Sequence, residues 1–217
     1  MPCPTRPPPR PGHDVHVIES TAPVPPPLSE AQVVLDVIRR RRTVDIALLR
    51  PDPVPRRVLE AILAAGTWAP THGRTQPWRF TVFTGAARER LGNIFAQAYA
   101  AGSAPDRDSE AALAAQRARA LKAPAWISLE LHVPATSKFP LWEEQAALAC
   151  AAQNMLLAAT AFGLASKWAS GAVMISPVTA AALGAPALMG FIYLGSPAGE
   201  APDSSRAPLS EKVTWAE

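Results

Sequence analysis

The sequence predicts a single α+β domain of layered type. Helical periodicity dominates the first half, and short apolar runs with strand character are interspersed from residue 80 onward. The two never alternate strictly, which disfavours a doubly wound parallel sheet. A chain of 217 residues, 48% of them hydrophobic, can bury one sizeable core and has room for appendages. Charged residues make up 18%, below the globular average of about 25%, so the composition is not that of a disordered chain.

Residues 1–27 carry ten of the 24 prolines, a composition that sustains neither helix nor sheet interior, so residues 1–28 are expected to be a disordered tail. Order is expected from Ser29, because Ser29 and Gln32 have capping-box spacing. Val34, Val37, Ile38 and Arg41 then recur at helical intervals. That helix ends in four arginines, Arg39 to Arg42. A proline-rich turn leads to a second helix, with Val58, Ile62 and Ala65 on one face and Gly66 as its stop. A loop from Trp68 to Pro77 precedes a strand, Phe80 to Phe83, closed by Gly85. Residues 86–121 read as two helices broken around Gly102 to Pro105, and Ala125 to Val133 as an alternating strand. Leu141 to Phe162 is the longest helical pattern, ended by Gly163. Trp168 to Gly171 is a strand edge or turn; Ser176-Pro177 and Gly184 bound a short helix. Leu188 to Leu194 is a last strand, and 195–217 is again loop-like.

Several classes of function are excluded or disfavoured. With 21 basic and 18 acidic residues the net charge is only +3, too small a surplus to argue for nucleic acid. The most apolar run, Ala146 to Ala161, is mostly alanine, carries Gln153 and Asn154, and falls short of the roughly 20 residues of a membrane span. No apolar signal-peptide core is apparent, so a cytoplasmic protein without a membrane partner is expected. The sequence contains no Gly-x-Gly-x-x-Gly fingerprint, no phosphate-binding P-loop and no Gly-x-Ser-x-Gly elbow. The four histidines lack metal-ligand spacing in any predicted element, so no metal is expected; Cys150, mid-helix among alanines, reads as an inert core thiol.

Two segments are chemically rich. Arg39 to Arg42 followed by Thr43 reads either as cations at the negative end of a helix dipole or as a phosphate clamp of forked, permanently charged donors. Trp68 to Phe80 packs two tryptophans, a histidine, two arginines and two prolines into thirteen residues. It reads either as a rigid loop plugging its own core or as a polar lip for a planar aromatic ligand.

Taken in order, these strings resemble the FMN-dependent nitroreductase superfamily. The resemblance is carried by Arg41-Arg42-Thr43, by Ala69 to His72 running into Gln76-Pro77-Trp78-Arg79-Phe80, and by Lys122-Ala123-Pro124. It continues through Trp142 to Gln145, Trp168 to Gly171 before Ser176-Pro177, and Gly190 to Gly195. It looks closest to the small bacterial NAD(P)H nitroreductases of the YdjA-like branch and covers about Leu28 to Gly195. The resemblance implies a layered α/β/α sandwich around a mostly antiparallel sheet, completed by dimerisation. It also implies a domain over 29–196 and a C-terminal extension over 197–217 that packs on the partner subunit.

As to chemistry, the resemblance implies FMN, with NADH or NADPH as donor and a nitroaromatic or quinone as acceptor, in a ping-pong cycle that needs no catalytic side chain. Arg41, Arg42 and Thr43 would contact the flavin phosphate and ribityl chain. Trp68, His72, Arg74 and Gln76 would reach the partner subunit's flavin, and Trp168, Ala169 and Ser170 would lie along its ring. Thr43 stands where the family usually has Ser; Trp68 and Ala169 stand where the close branch has Arg, which removes two cations from the expected nicotinamide site. The alternatives are a flavin-sequestering or redox-sensing protein on the same fold, a flavin-destroying or dehalogenating enzyme, and a small helical interaction protein. Independently of the resemblance, the helix from Leu141 to Phe162 is apolar on nearly every face, which points to burial by a second copy of the chain.

Overall fold

The computed structural model describes residues 29–102 and 109–216. The expected tail and most of the break after Gly102 lie outside the described residues. Among the described residues six α-helices surround one sheet: α1 Glu30–Arg40, α2 Arg56–Thr67, α3 Ala87–Ala100, α4 Glu110–Leu121, α5 Leu141–Ala161 and α6 Pro177–Leu183. The strands are β1 Trp78–Arg79, β2 Val82–Thr84, β3 Ala125–Leu131, β4 Ala165–Ala169 and β5 Ala187–Gly195. Their order is β1-β3-β5-β4, with β2 also paired to β3, and every strand pairing is antiparallel. The fold is thus α+β, as the interspersed pattern predicts.

All seven residues of β3 are buried, because helices cover both faces of the sheet at its centre. On one face Ile127, Leu129, Ile192 and Leu194 pack with α2 and α5; on the other Phe83, Trp126, Phe191 and Tyr193 pack with α3, α4 and α6. The second layer is a cluster of edge-to-face rings, with Phe95 5.6 Å from Trp126 and 5.4 Å from Phe191.

Local signals explain most boundaries. Ser29 and Gln32 close a reciprocal capping box at the start of α1. Ser176 caps α6 ahead of Pro177, and Gly184 ends it in the left-handed conformation. Gly66 differs from expectation: it lies inside α2, buried, where an added Cβ would sit 2.9 Å from Met155 Cγ. It serves the close approach of α2 to α5 rather than a helix stop. The single strand expected over Phe80–Phe83 is interrupted, since Thr81 donates its backbone N–H to the Ser128 hydroxyl at 2.7 Å.

Two surfaces carry apolar side chains with little cover. Helix α1 buries none of its residues, leaving Val34 and Ile38 exposed. Helix α5 buries Leu148, Met155 and Leu156 within the single chain but exposes Trp142, Ala146, Cys150 and Gln153 along one stripe. Cys150 is therefore a surface thiol, not the core residue its alanine surroundings suggest. After β5 the chain turns back on its own body: Arg50 donates to the Ser196 carbonyl at 2.8 Å and Ala198 to the Leu48 carbonyl at 2.9 Å. Beyond Arg206 the segment is exposed, with Leu209 and Trp215 in solvent.

Candidate functional site

The arginine-rich end of α1 divides its cations among different tasks. Arg40 pairs with Asp36 one turn back, at 2.6 Å. Arg42 is engaged by backbone: its guanidinium donates to the carbonyls of Arg39, Arg41 (3.0 Å) and Pro202 (3.2 Å), tying the helix end to the C-terminal segment. Arg39 and Arg41 have neither an ion pair nor a side-chain hydrogen bond among the described residues. They line a recess of about 510 Å³ with Arg42, Gln153, Ser204 and Arg206, and no carboxylate among the described residues lines it. Among the described residues Arg206 donates only to Ser204 and Ser205.

A helix C-terminus carries about half a negative charge, which one guanidinium neutralises. Three further arginines in one recess leave an uncompensated positive field. The donor set fits a phosphate: several N–H groups, a hydroxyl, an amide and no competing acid. A neighbouring cleft of about 370 Å³ mixes Arg40 and Arg42 with Glu200 and Asp203, so its charge is self-neutralised. Arg206 and Ser204 are recess-lining residues that sequence reasoning missed. They lie more than 160 positions from Arg41 in a segment without periodicity, and only the backbone ties around Ser196 and Pro202 bring them back.

Thr43 is exposed and bridges in parallel to Ser166 at the start of β4; Val44 donates to the Ser166 carbonyl at 3.2 Å. The Tyr193 hydroxyl donates to the Val44 carbonyl at 3.1 Å from inside the aromatic layer. Burial, reinforced by Asp45 against opposing effects of Arg119 and the Ile46 backbone, pushes the Tyr193 phenol up to about 12. At the far end of β4, Trp168 donates its indole N–H to the Met189 carbonyl at 2.8 Å, and Ala169 is buried. Both side chains serve the sheet; Ser170, next along, is exposed.

The loop after α2 is separate. Trp68 is 86% exposed and caps the helix. Three residues nearby take left-handed backbone: Gly73 (φ 59°), Arg74 (φ 58°) and Gln76 (φ 46°). For the two non-glycines this costs about 1 kcal/mol or more each. Gly73 has no alternative, because a Cβ there would lie 2.2 Å from the Phe139 ring. His72 stacks on Phe139 at 3.7 Å and meets the Glu143 carboxylate through Nδ1. His72 and Glu143 border an open cleft of about 410 Å³ floored by Ala146 and Cys150.

Within one chain these groups do not converge. The loop is anchored at Glu143 on α5 and the arginine recess at Gln153, ten residues or about 15 Å along the helix. The exposed stripe Trp142, Ala146, Cys150 and Gln153 runs between the two clefts.

Comparison with known proteins places this architecture. The nitroreductase family model matches residues 38–196. The chain is 34% identical over 177 residues to YdjA of Escherichia coli K12, whose name assigns it to the NAD(P)H nitroreductases; the match covers 80% of this chain and 93% of YdjA. A nitroreductase-like family protein from Bacillus cereus superposes with a TM-score of 0.74 at 22% identity, covering 90% of this chain and all of that one. An FMN-bound nitroreductase from Bacteroides fragilis superposes at 0.62 with 26% identity, covering 85% and 98%. Since the family match spans the sheet, α2 to α6 and Arg39 to Thr43, the chain belongs to the nitroreductase family, a family of enzymes.

Proposed function

We propose that this protein is an FMN-dependent NAD(P)H oxidoreductase that reduces small nitroaromatic or quinone-type acceptors, working as a homodimer with two flavins at its interface. The carrying observation is the recess at the end of α1, where Arg39, Arg41 and Arg206 face a common space without a carboxylate. That donor set suits the phosphate of FMN, and Thr43 offers a hydroxyl on the way to β4. When bound, FMN supplies the hydride-accepting and hydride-donating chemistry.

The chain's own residues bind and orient. Arg41 and Arg206 hold the phosphate; Arg42 is the strut that keeps the C-terminal segment, and so Arg206, in place. Strand β4 carries Trp168 and Ala169 as a rigid rail and presents Ser170 and its backbone at the ring end. Trp68, His72, Arg74 and Gln76 approach the flavin of the partner subunit, with the cleft beside His72 open for a planar acceptor or a nicotinamide.

The pairing has a structural rationale. The two clefts adjoin along an exposed stripe on α5, with Cys150 at the edge of the His72 cleft nearest Gln153 of the arginine recess. Packing two α5 helices antiparallel about a two-fold axis near Cys150 would bring the loop of one copy to the arginine recess of the other. Ala146 and Cys150 are small enough for close approach, and the apolar faces of α1 and α5 would be covered.

The visible absorption spectrum of the purified protein, followed by turnover with NADH or NADPH and a quinone, tests the reading. A flavin spectrum bleached by either donor and restored by the quinone is expected. A colourless protein that takes up no added FMN contradicts it, and a flavin that neither donor reduces points to a sequestering or sensing role.

A further inference from the structure

Glu144 is only 2% exposed, yet it makes no ion pair among the described residues. Its two oxygens instead accept one hydroxyl each: Oε2 from Thr75 at 2.7 Å and Oε1 from Ser137 at 2.7 Å. The Thr75 hydroxyl lies 2.8 Å from that of Thr71, and the Thr71 oxygen accepts the Gln76 backbone N–H at 3.2 Å. A hydroxyl has one proton to give. Thr75 gives its proton to Glu144, so Thr71 must donate to Thr75, and the direction of the whole chain is set: Gln76 N–H to Thr71, Thr71 to Thr75, Thr75 to Glu144.

The chain of bonds spans the strained segment. Gly73, Arg74 and Gln76 are its left-handed residues, and Thr71, Thr75 and the Gln76 amide are the points at which it is tied. On the other oxygen, Ser137 also accepts the Phe139 amide at 3.3 Å, and Phe139 packs on both His72 and Gly73. Both sides of the loop are thus fastened to one buried carboxylate, by hydroxyl hydrogen bonds on one side and by a stacked ring on the other.

We propose that Glu144 is the positioning residue of the 71–76 loop, acting through Thr75 and Thr71 to hold Arg74 and Gln76 in the left-handed backbone that presents them to a ligand across the subunit interface. That this ligand is FMN rests on the function proposed above. No side chain of the network need touch the flavin; its role is to keep a strained loop in one conformation before binding, which removes an ordering cost from affinity.

The test uses the full chain with Thr75→Val, which keeps the shape and deletes the hydroxyl, and Thr75→Ser, which keeps the hydroxyl. Three readings are taken: FMN affinity by quenching of flavin fluorescence, the rate of tryptic cleavage after Arg74 in flavin-free protein identified by mass, and the thermal midpoint. Thr75→Val is expected to be cut about tenfold faster after Arg74 and to bind FMN about tenfold more weakly, with its midpoint a few degrees lower because the buried carboxylate loses one of its two donors. Thr75→Ser should match the parent in all three. The proposal is overturned if Thr75→Val is cut at the parental rate, or if Thr75→Ser is as impaired as Thr75→Val. Should Thr75→Val not fold, Thr71→Val breaks the chain one link outward at a half-buried position and is judged by the same outcomes. If the parent takes up no FMN, the flavin reading fails, while the cleavage arm still decides whether the network positions the loop.

Discussion

The loop at 71–76 and the corner at Arg39–Thr43 are both rich in polar groups, but they are finished to different degrees. In the loop Thr71, Thr75, Ser137 and Glu144 all have partners inside one chain, and three left-handed residues are held by them. At the corner Arg42 is engaged by carbonyls and Arg40 by Asp36, whereas Arg39, Arg41 and Arg206 share a recess without an acid. Satisfied strain indicates a preformed shape; solvent-facing cations with no acid in their recess leave room for an anion. The two ends of the proposed site are therefore complementary, one complete before binding and the other completed by it.

Separating the two ends should have the largest effect. Cys150→Arg places a bulky charge in the middle of the exposed α5 stripe without touching the core. It is expected to give a folded monomer, by sedimentation, whose FMN affinity is lower by about a hundredfold or more. A variant that stays dimeric with normal flavin content would move the interface elsewhere. Next is the corner itself. A charge-assisted hydrogen bond is worth about 1.5–3 kcal/mol, so Arg41→Ala should weaken FMN binding roughly ten- to a hundredfold with the thermal midpoint unchanged. Arg42→Ala should act differently, speeding proteolysis between Pro197 and Arg206 more than it alters direct phosphate contact. Equal loss of affinity and equal protease resistance in the two variants would erase the distinction between ligand and strut.

The loop is probed by glycines that share a left-handed φ but not their surroundings. Gly73→Ala must displace Phe139 as well as accept an unfavourable backbone, and is expected to cost about 2–4 kcal/mol in thermal unfolding. Gly163→Ala meets nothing within 4 Å and should cost about 1 kcal/mol. The smallest effect concerns Tyr193, which supports the corner through the Val44 carbonyl. Its phenol is pushed up to about 12 by burial, above the ordinary value of 10.0 in the unfolded chain. Its contribution is thus fully present below pH 10 and is lost as the pH rises towards 12. Tyr193→Phe should lower stability by about 1 kcal/mol at neutral pH and flatten that alkaline decline, as followed by denaturant titration at several pH values.

Where a feature depends on a few neighbouring residues, the sequence was enough to read it. Ser29 with Gln32, Ser176 with Pro177, and the lefthanded Gly163 and Gly184 all stand where their local chemistry puts them. The family resemblance rested on such ordered local strings and the family match covers the same ground. What was not legible depends on contacts between distant segments. Gly66 looks like a stop until Met155 is placed against it, and Cys150 looks buried until α5 shows which of its faces meets the sheet. Arg206 joins the arginine recess only when Arg42 and Ser196 fold the C-terminal segment back. Glu144, inside the string Trp142 to Gln145, discloses its task only through Thr75 and Ser137.

Sedimentation velocity at low micromolar protein, recorded in the visible band of the flavin, tests the shared site most directly. The account predicts that the flavin sediments with a species of twice the 23.0 kDa chain, and that Cys150→Arg moves the protein to the monomer while the colour stays behind as free FMN. A 23.0 kDa monomer that carries one flavin per chain would contradict it.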